Sequence, residues 1–186
     1  MHNIIVFIGF ILYKLRAIVS FLMRAYEKTL FHYFGKDTYL GHQCIFTHSS
    51  IDIGEHTYIG SKCVFRSAHG KILIGNHVMF GPGVHIHGGN HIMDRVGIYM
   101  DEARKEPGSD SNVIIEDDVW IGSNAIILGG GKEELKIGKG SVIGAGSIVT
   151  KSVPPYSVMV GSPARCIKMR FSEEQVQQHE SLLYDN

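Results

Sequence analysis

The sequence is poor in proline and cysteine and carries no excess of charge. Only 5 of its 186 residues are proline, and 44% are hydrophobic, so the composition indicates one folded domain rather than a disordered chain. The three cysteines, at positions 44, 63 and 166, have no CxxC spacing, and their low, odd number indicates a reducing, cytoplasmic compartment. Basic and acidic residues each number 18, so charge gives no basis for a nucleic-acid partner.

The sequence also lacks an unbroken apolar run long enough to cross a membrane. Residues 4–12 are apolar, but Lys14 and Arg16 follow, so the run falls short of the ~20 residues that a spanning helix needs. Neither a basic region before the run nor a small-residue cleavage site after it is recognisable, so a signal peptide is not expected.

The same segment has the spacing of an amphipathic helix. One stripe of apolar residues recurs at helical intervals: Ile11, Leu15, Ile18, Val19, Leu22 and Tyr26. We therefore expect a helical segment over residues 1–35. Three interpretations of it stay open: the stripe packs on its own domain or on a sister subunit, residues 1–30 lie on the inner face of a membrane, or the segment is a true anchor.

Most of the remaining chain repeats every six residues, a period that fits neither a helix nor an ordinary strand. Four blocks hold this register: Ile53 and Ile59; Ile74, Phe80 and Ile86; Ile115, Ile121 and Ile127; and Ile137, Ile143 and Val149. The register slips at 65–71 and 130–136, and a longer break covers 92–112. Six residues suit one side and one corner of a triangular coil, and such coils would stack ~4.8 Å apart.

This period predicts an all-β fold, a parallel β-helix over residues 36–170. Aliphatic side chains would point inward, and the neighbouring glycines would allow backbone angles that other residues resist. Residues 92–112 are expected to leave the coil as an extruded loop with a functional role, because structureless loops of this length are uncommon in compact domains. Ser172 followed by Gln175 predicts a capping box that opens a short C-terminal helix within 171–186. The two terminal helices are candidates to cover the open ends of the stack.

Three motifs go beyond the bare repeat. They are "IGNHVMFGPGVHIHGGNH" from Ile74, "VIIEDDVWIGSNAIIL" from Val113 and "IGKGSVIGAGSIVTKSVPPYSVMVGSPARCIKMRF" from Ile137. With them the chain resembles the hexapeptide-repeat acyltransferases, in particular the sugar O-acetyltransferases and the xenobiotic acetyltransferases. The resemblance implies a left-handed β-helix, a homotrimer, and acetyl-CoA bound in a cleft between neighbouring subunits.

The resemblance also implies the catalytic residues. His91 ends the first motif in register and matches the family's catalytic histidine, a general base that takes the proton of the acceptor hydroxyl. The backbone amide of Ser123 matches the donor that stabilises the tetrahedral oxyanion. Family positions along the acetyl-CoA cleft are matched by Trp120, Ser123, Ala145, Thr150, Lys151 and Arg165. The loop at 92–112 would shape the acceptor pocket of a neighbouring subunit.

The expected reaction is acetyl transfer from acetyl-CoA to a hydroxyl of a saccharide, with surface polysaccharide as one destination and with no metal. The sequence does not name the acceptor, so an amino sugar or an antibiotic is an alternative. A second class is a metal site of the γ-carbonic-anhydrase type, because His85 and His87 alternate toward one face with His91 nearby. A non-catalytic β-helix scaffold is the third.

Overall fold

The computed structural model of the chain describes residues 2–106 and 108–184. Residue 1 of the predicted helical segment, residues 185–186 of the predicted C-terminal segment, and residue 107 of the loop lie outside this range. The described residues form two α-helices, one 3₁₀ turn (His48–Ser50) and seventeen short β-strands. The helices are α1 (His2–Lys28) and α2 (Glu173–Tyr184).

The strands form three sheets, which are the three faces of a left-handed β-helix. Sheet A contains β1 (Tyr33–Phe34), β4 (Ile51–Ile53), β7 (Ile72–Ile74), β10 (Val113–Ile115) and β13 (Leu135–Ile137). Sheet B contains β2 (Tyr39–Leu40), β5 (Tyr58–Ile59), β8 (Met79–Phe80), β11 (Trp120–Ile121), β14 (Val142–Ile143), β16 (Ser157–Gly161) and β17 (Ala164–Met169). Sheet C contains β3 (Ile45–Phe46), β6 (Val64–Arg66), β9 (His85–His87), β12 (Ile126–Leu128) and β15 (Ile148–Val149). Three successive strands, one from each sheet, make one coil, so β1 to β3 form coil 1 and β13 to β15 form coil 5.

The six-residue repeat places its aliphatic residues in continuous columns inside the coils. In sheet A, Ile53 pairs with Ile74, which pairs with Ile115, which pairs with Ile137. The repeat residues of all four blocks are buried. Stacked strands pair in parallel, apart from the antiparallel hairpin of β16 and β17. The predicted β-helix is confirmed, and its core is the set of inward repeat positions.

The glycines that follow the repeat residues have a different role from the predicted one. A Cβ atom on Gly54 would lie 2.5 Å from the carbonyl carbon of Gly75, because the next coil passes directly over it. The left-handed backbone occurs two residues further on, at His56 (φ 53°) and at His77 (φ 56°). The repeat glycines therefore allow adjacent coils to approach closely, and the corner residues adopt the positive φ angles.

Nearly all variation in coil length falls on one edge of the prism. The connections from sheet A to sheet B and from sheet B to sheet C contain four residues in each of coils 1 to 5. The connections from sheet C to sheet A are residues 47–50, 67–71, 88–112 and 129–134. The predicted register slips and the extruded loop all lie on this C–A edge.

The two ends of the stack are closed by different means. Phe31 is buried at the N-terminal end, against Phe34 and Phe46 of coil 1. At the other end, β16 and β17 extend sheet B as a hairpin.

Helix α2 begins with the predicted capping box. The Ser172 amide donates to Gln175 Oε1 (2.9 Å), and the Gln175 amide donates to Ser172 Oγ (3.3 Å). The helix does not cover an open end of the stack, the position for which it was a candidate. It lies along the A–B edge, where Tyr156 Oη donates to Glu180 Oε1 (2.9 Å).

Helix α1 is continuous and mostly exposed. Its segment Ile5–Lys28 includes an 18-residue window with a mean hydropathy of 2.1, none of it buried, so by length and composition alone the helix can cross a membrane. Lys14 and Arg16 lie within the helix, and the prediction that they end the apolar segment is wrong. The apolar stripe is exposed too, so the interpretation in which it packs on its own domain is wrong.

Candidate functional site

A cavity of about 700 Å³ opens on sheet C beside the C–A edge. Coils 1 to 3 form its floor, and the start and end of the loop 88–112 form its wall. The side chains that matter for its chemistry are Arg66, His69, His87, His91, Asp101 and Arg104. The cavity therefore brings three imidazoles and two guanidiniums together on one side of the β-helix.

His91 lies where the chain leaves coil 3. Strand β9 ends at His87, and the amide of Gly88 still donates to the carbonyl of Arg66 (2.7 Å), as in a regular coil. The next residues turn away from the stack, and His91 is exposed at the cavity wall. Its ring forms no side-chain hydrogen bond with any residue that the structure describes, so neither ring nitrogen has a partner among them.

His87 is a cavity residue that the sequence did not single out for this role. Burial, followed by the charges of His85 and Arg66, holds its pKa below the ordinary value for histidine. Arg66 is adjacent because it pairs with His87 in register between β6 and β9. The neutral form of the His87 imidazole is therefore favoured, and that form can both accept and donate a hydrogen bond.

The far end of the loop is fixed to the body of the protein. Lys105 forms an ion pair with Asp110, whose carboxylate is almost completely buried. Ser111 Oγ donates to the carbonyl of Glu133 (2.6 Å), which lies in the next insertion of the C–A edge. The middle of the loop, residues 93–102, is exposed. The loop therefore returns to coil 4 through defined contacts and leaves its middle free to meet another surface.

The cavity has an excess of unpaired positive charge. Lys105 is neutralised by Asp110, but neither Arg66 nor Arg104 forms an ion pair within residues 2–106 and 108–184. Asp101 is the remaining acid of the lining. An anionic group on a ligand would find two guanidiniums there.

Ser123 lies on another edge of the prism, at the corner between sheets B and C. Its carbonyl accepts the amide of Gly146 in the next coil (2.9 Å). Ser123 is half-buried, and its own amide has no hydrogen-bond acceptor in the part of the chain that the structure describes. On the other side, a Cβ atom on Gly81 would lie 2.6 Å from the Ser123 nitrogen. The amide therefore lies between two coils and has no acceptor among the described residues.

The other predicted acetyl-CoA residues lie on the B–C edge, on sheet B and on the C–A edge. Ala145 lies next to Ser123 on the B–C edge, because a Cβ atom on Gly122 would lie 2.5 Å from its nitrogen. Trp120 is half exposed on sheet B, and Arg165 is exposed on β17 of the same sheet. Thr150 and Lys151 instead follow β15, on the same C–A edge as His91.

The structure therefore does not join the two halves of the predicted site within one chain. Ser123 precedes the sheet C strand of its coil, whereas His91 follows the sheet C strand of the coil below. One side of the coil corresponds to one six-residue repeat, so at ~3.3 Å per residue the width of this face separates Ser123 from His91 by roughly 20 Å.

His85 and His87 do share one face, as predicted, with ring centroids 5.9 Å apart. Within residues 2–106 and 108–184, however, no group of three or more His, Cys, Asp or Glu side chains is arranged to hold a metal ion.

Known proteins share both the repeat and the fold. A family model described as the hexapeptide repeat of succinyl-transferase matches residues 112–151. The maltose O-acetyltransferase from Clostridium difficile 630 is 36% identical, with a TM-score of 0.68, and the match covers 78% of this chain and 73% of that one. A hexapeptide-repeat acetyltransferase from Vibrio cholerae O1 biovar eltor, complexed with acetyl coenzyme A, is 31% identical, with a TM-score of 0.68 and coverage of 80% and 76%.

A third relative is the galactoside O-acetyltransferase of Lactococcus lactis, 42% identical over 92 residues, which are 50% of this chain and 40% of that protein. The matches to the first curated relatives cover between 28% and 52% of their lengths, so the chain spans about half of those proteins or less. The likeness to the two solved structures extends over most of both chains. The chain therefore belongs to the hexapeptide-repeat acetyltransferase family.

Proposed function

We propose that the protein is an acetyl-CoA-dependent O-acetyltransferase that acetylates a hydroxyl group of a saccharide. The observation that carries the proposal is the position of His91, exposed at the wall of a cavity large enough for a sugar. The likeness to the maltose and galactoside O-acetyltransferases supports a saccharide acceptor. The likeness to an acetyl coenzyme A complex supports the acyl donor.

The residues assigned to the donor fit its chemistry. Acetyl-CoA supplies an activated acyl group as a thioester, on an arm rich in amide groups that ends in an anionic nucleotide. The unpaired Ser123 amide can donate to an oxygen, and Ala145 adds only a methyl group beside it, so an extended arm can lie close to the backbone. Lys151 and Arg165 form no ion pair with a described residue and are available for phosphate groups.

The chemistry assigned to this chain is one proton relay and one fixed dipole. His91 accepts the proton of the acceptor hydroxyl as the oxygen–acetyl bond forms, since a hydroxyl is a poor nucleophile while it keeps its proton. The Ser123 amide donates to the oxyanion of the tetrahedral intermediate without reorganisation. His91 then returns the proton to the departing thiolate as the carbon–sulfur bond breaks, so atoms and charge balance.

A complete site requires a second chain. His91 and Ser123 lie at opposite ends of sheet C in one chain, roughly 20 Å apart at ~3.3 Å per residue, which is too far to act on one acetyl group. Packing the C–A edge of one subunit against the B–C edge of the next would bring the two residues together. A cyclic homotrimer repeats that contact three times and leaves no C–A or B–C edge unpaired, while the A–B edge with α2 stays outside the contact.

The charge of the cavity refines the acceptor class. Because Arg66 and Arg104 have no acidic partner among the described residues, we expect a saccharide that carries a phosphate, carboxylate or other anionic group. A neutral sugar, an amino sugar or an antibiotic would leave these two guanidiniums uncompensated. Acetyl transfer to charged and neutral forms of the same sugar, compared at low and high salt, separates these acceptors.

The test of the proposed function is acetyl-CoA turnover, measured as thiol release with a panel of saccharides. We expect His91→Gln to lower turnover by ~10²–10⁴ because the general base is lost. His32→Gln is the matched control, since His32 lies outside the cavity and its ring contacts Asp52 (2.6 Å). Full activity in His91→Gln, or an equal loss in both variants, would refute the assignment of His91.

A further inference from the structure

Helix α1 is amphipathic, but its polar side faces the protein. A cleft of about 800 Å³ separates α1 from coil 1, and the helix residues that line it include the polar or charged Arg16, Ser20, Arg24 and Glu27, together with Tyr13, Ala17 and Met23. These residues recur at helical intervals and so form one face. A surface helix of a soluble domain normally turns its apolar face inward. In α1 this arrangement is reversed.

Three contacts at the end of the helix fix this orientation. Arg24 Nη1 lies 2.7 Å from His42 Nδ1, and Lys28 Nζ donates to the carbonyl of Thr38 (2.9 Å). Glu27 Oε1 lies 3.3 Å from His48 Nε2. All three partners belong to coil 1, so the polar face is held against the β-helix by its last two turns.

The opposite face is a broad apolar surface in solvent. Its central residues are 41–60% exposed: Ile11, Leu15, Ile18, Val19, Leu22 and Tyr26. At about 100° per residue, Lys14 and Arg16 lie on its two borders, and no charged residue of 5–28 lies in the arc of roughly 200° between them.

The first turns of the helix are apolar on every side. Val6 and Phe10 lie on the side that is polar further along, yet both are more than half exposed, as are Ile5 and Phe7 on the other sides. A protein partner would have to enclose this segment completely to remove it from water. Hydrocarbon surrounds an inserted segment on all sides without any special shape.

We propose that α1 lies in the interfacial region of a phospholipid bilayer that contains anionic headgroups. The outward apolar face enters the acyl region, with residues 5–12 deepest, and Lys14 and Arg16 reach the headgroups from its two borders. Arg24 and Lys28 already have partners in coil 1, so Lys14 and Arg16 are the cations left for lipid phosphates. A spanning orientation is disfavoured because these two charges would then lie near the centre of the bilayer.

The experiment is flotation of the full-length protein with vesicles of phosphatidylcholine, alone or mixed with phosphatidylglycerol. The wild-type protein should float, and more strongly with the anionic lipid. Ile18→Glu should lower the partition coefficient at least ~10-fold, the factor expected for one lost aliphatic side chain. Ser20→Glu is the matched control, because it adds the same charge two residues away on the face toward coil 1, and it should float like the wild type. Lys14→Gln with Arg16→Gln should remove the preference for anionic lipid.

Several results would overturn the proposal. One is a wild-type protein that stays at the bottom of the gradient with both vesicles. Another is an Ile18→Glu variant that floats as well as Ser20→Glu does. A third is a wild-type protein that does not float, together with an oligomer that dissociates, as measured by light scattering, when Ile18 is replaced by Glu. That result would assign the apolar face to contact with a second copy of the chain. Resistance to alkaline carbonate extraction would instead indicate a spanning helix.

Discussion

Replacing Gly81 by alanine tests whether the Ser123 amide takes part in the reaction. A Cβ atom on Gly81 would lie 2.6 Å from the Ser123 nitrogen, 2.8 Å from its Oγ and 2.9 Å from its Cα. Ordinary contact begins near 3.4 Å, so the amide must move by roughly 0.8 Å or the coils must separate by that amount. Because the obstacle is backbone, no rotamer change relieves it. Overpacking of this kind typically costs about 1–3 kcal/mol of stability.

The same displacement should impair catalysis. A misplacement of about 1 Å at a reacting centre costs up to ~10² in rate, which approaches the loss of an oxyanion donor altogether. We therefore expect Gly81→Ala to lower turnover by ~10-fold or more beyond any loss of folded protein. The measurements are thiol release at saturating acetyl-CoA and the thermal unfolding midpoint of the same sample.

Two other glycines supply the controls. Gly54→Ala creates a similar overlap, with Cβ 2.5 Å from the carbonyl carbon of Gly75, but on the A–B edge, far from Ser123. It should lose stability like Gly81→Ala and keep its turnover per folded molecule. Gly131→Ala has no atom within 4 Å of the new Cβ and should change neither quantity. If Gly81→Ala keeps the turnover of Gly54→Ala at matched folded fraction, the amide of Ser123 has no catalytic role.

Two further predictions concern stability. Burial, with the charges of His85 and Arg66, holds the pKa of His87 below its ordinary value, so the unfolded chain binds this proton more readily than the folded chain, and the stability of the folded state should fall as the pH decreases through ~6.5. The thermal unfolding midpoint of His87→Gln should therefore fall less than that of the wild type on the same acidification. Identical curves of midpoint against pH for the two proteins would contradict this cause. Ser172→Ala removes the capping hydroxyl of α2 and should cost ~1 kcal/mol, seen as faster amide exchange in Glu173–Tyr184, while Ser181→Ala, at a serine outside the cap, should leave that exchange unchanged.

The β-helix could be predicted from the sequence because its signal is local. Burial in a three-sided coil depends on position within six residues, so Ile53, Ile59 and their counterparts specify the core without any long-range information. Ser172 and Gln175 likewise specify the start of α2 through neighbouring atoms. These predictions rest on spacings that one coil or one helical turn repeats.

The features that escaped prediction depend on how coils stack. Arg66 lies beside His87 because β6 and β9 are separated by a 21-residue step, and the register slip at 65–71 hides that step in the sequence. The reason for glycine at position 54 is the backbone of Gly75 overhead, which no local pattern reveals. A helical wheel locates the apolar stripe of α1 but does not say whether that stripe meets protein, solvent or lipid.

The unequal edges of the prism have a consequence for how such an enzyme can change. Two edges keep four residues per corner, because any extra residue would displace every column of the core above it. The third edge already tolerates connections from 47–50 up to 88–112 without disturbing the pairing of the coils on either side. Under the proposed function, a loop transplanted or randomised there would reshape the acceptor pocket while the stack folds as before, which makes this edge the natural place for engineering new acceptors.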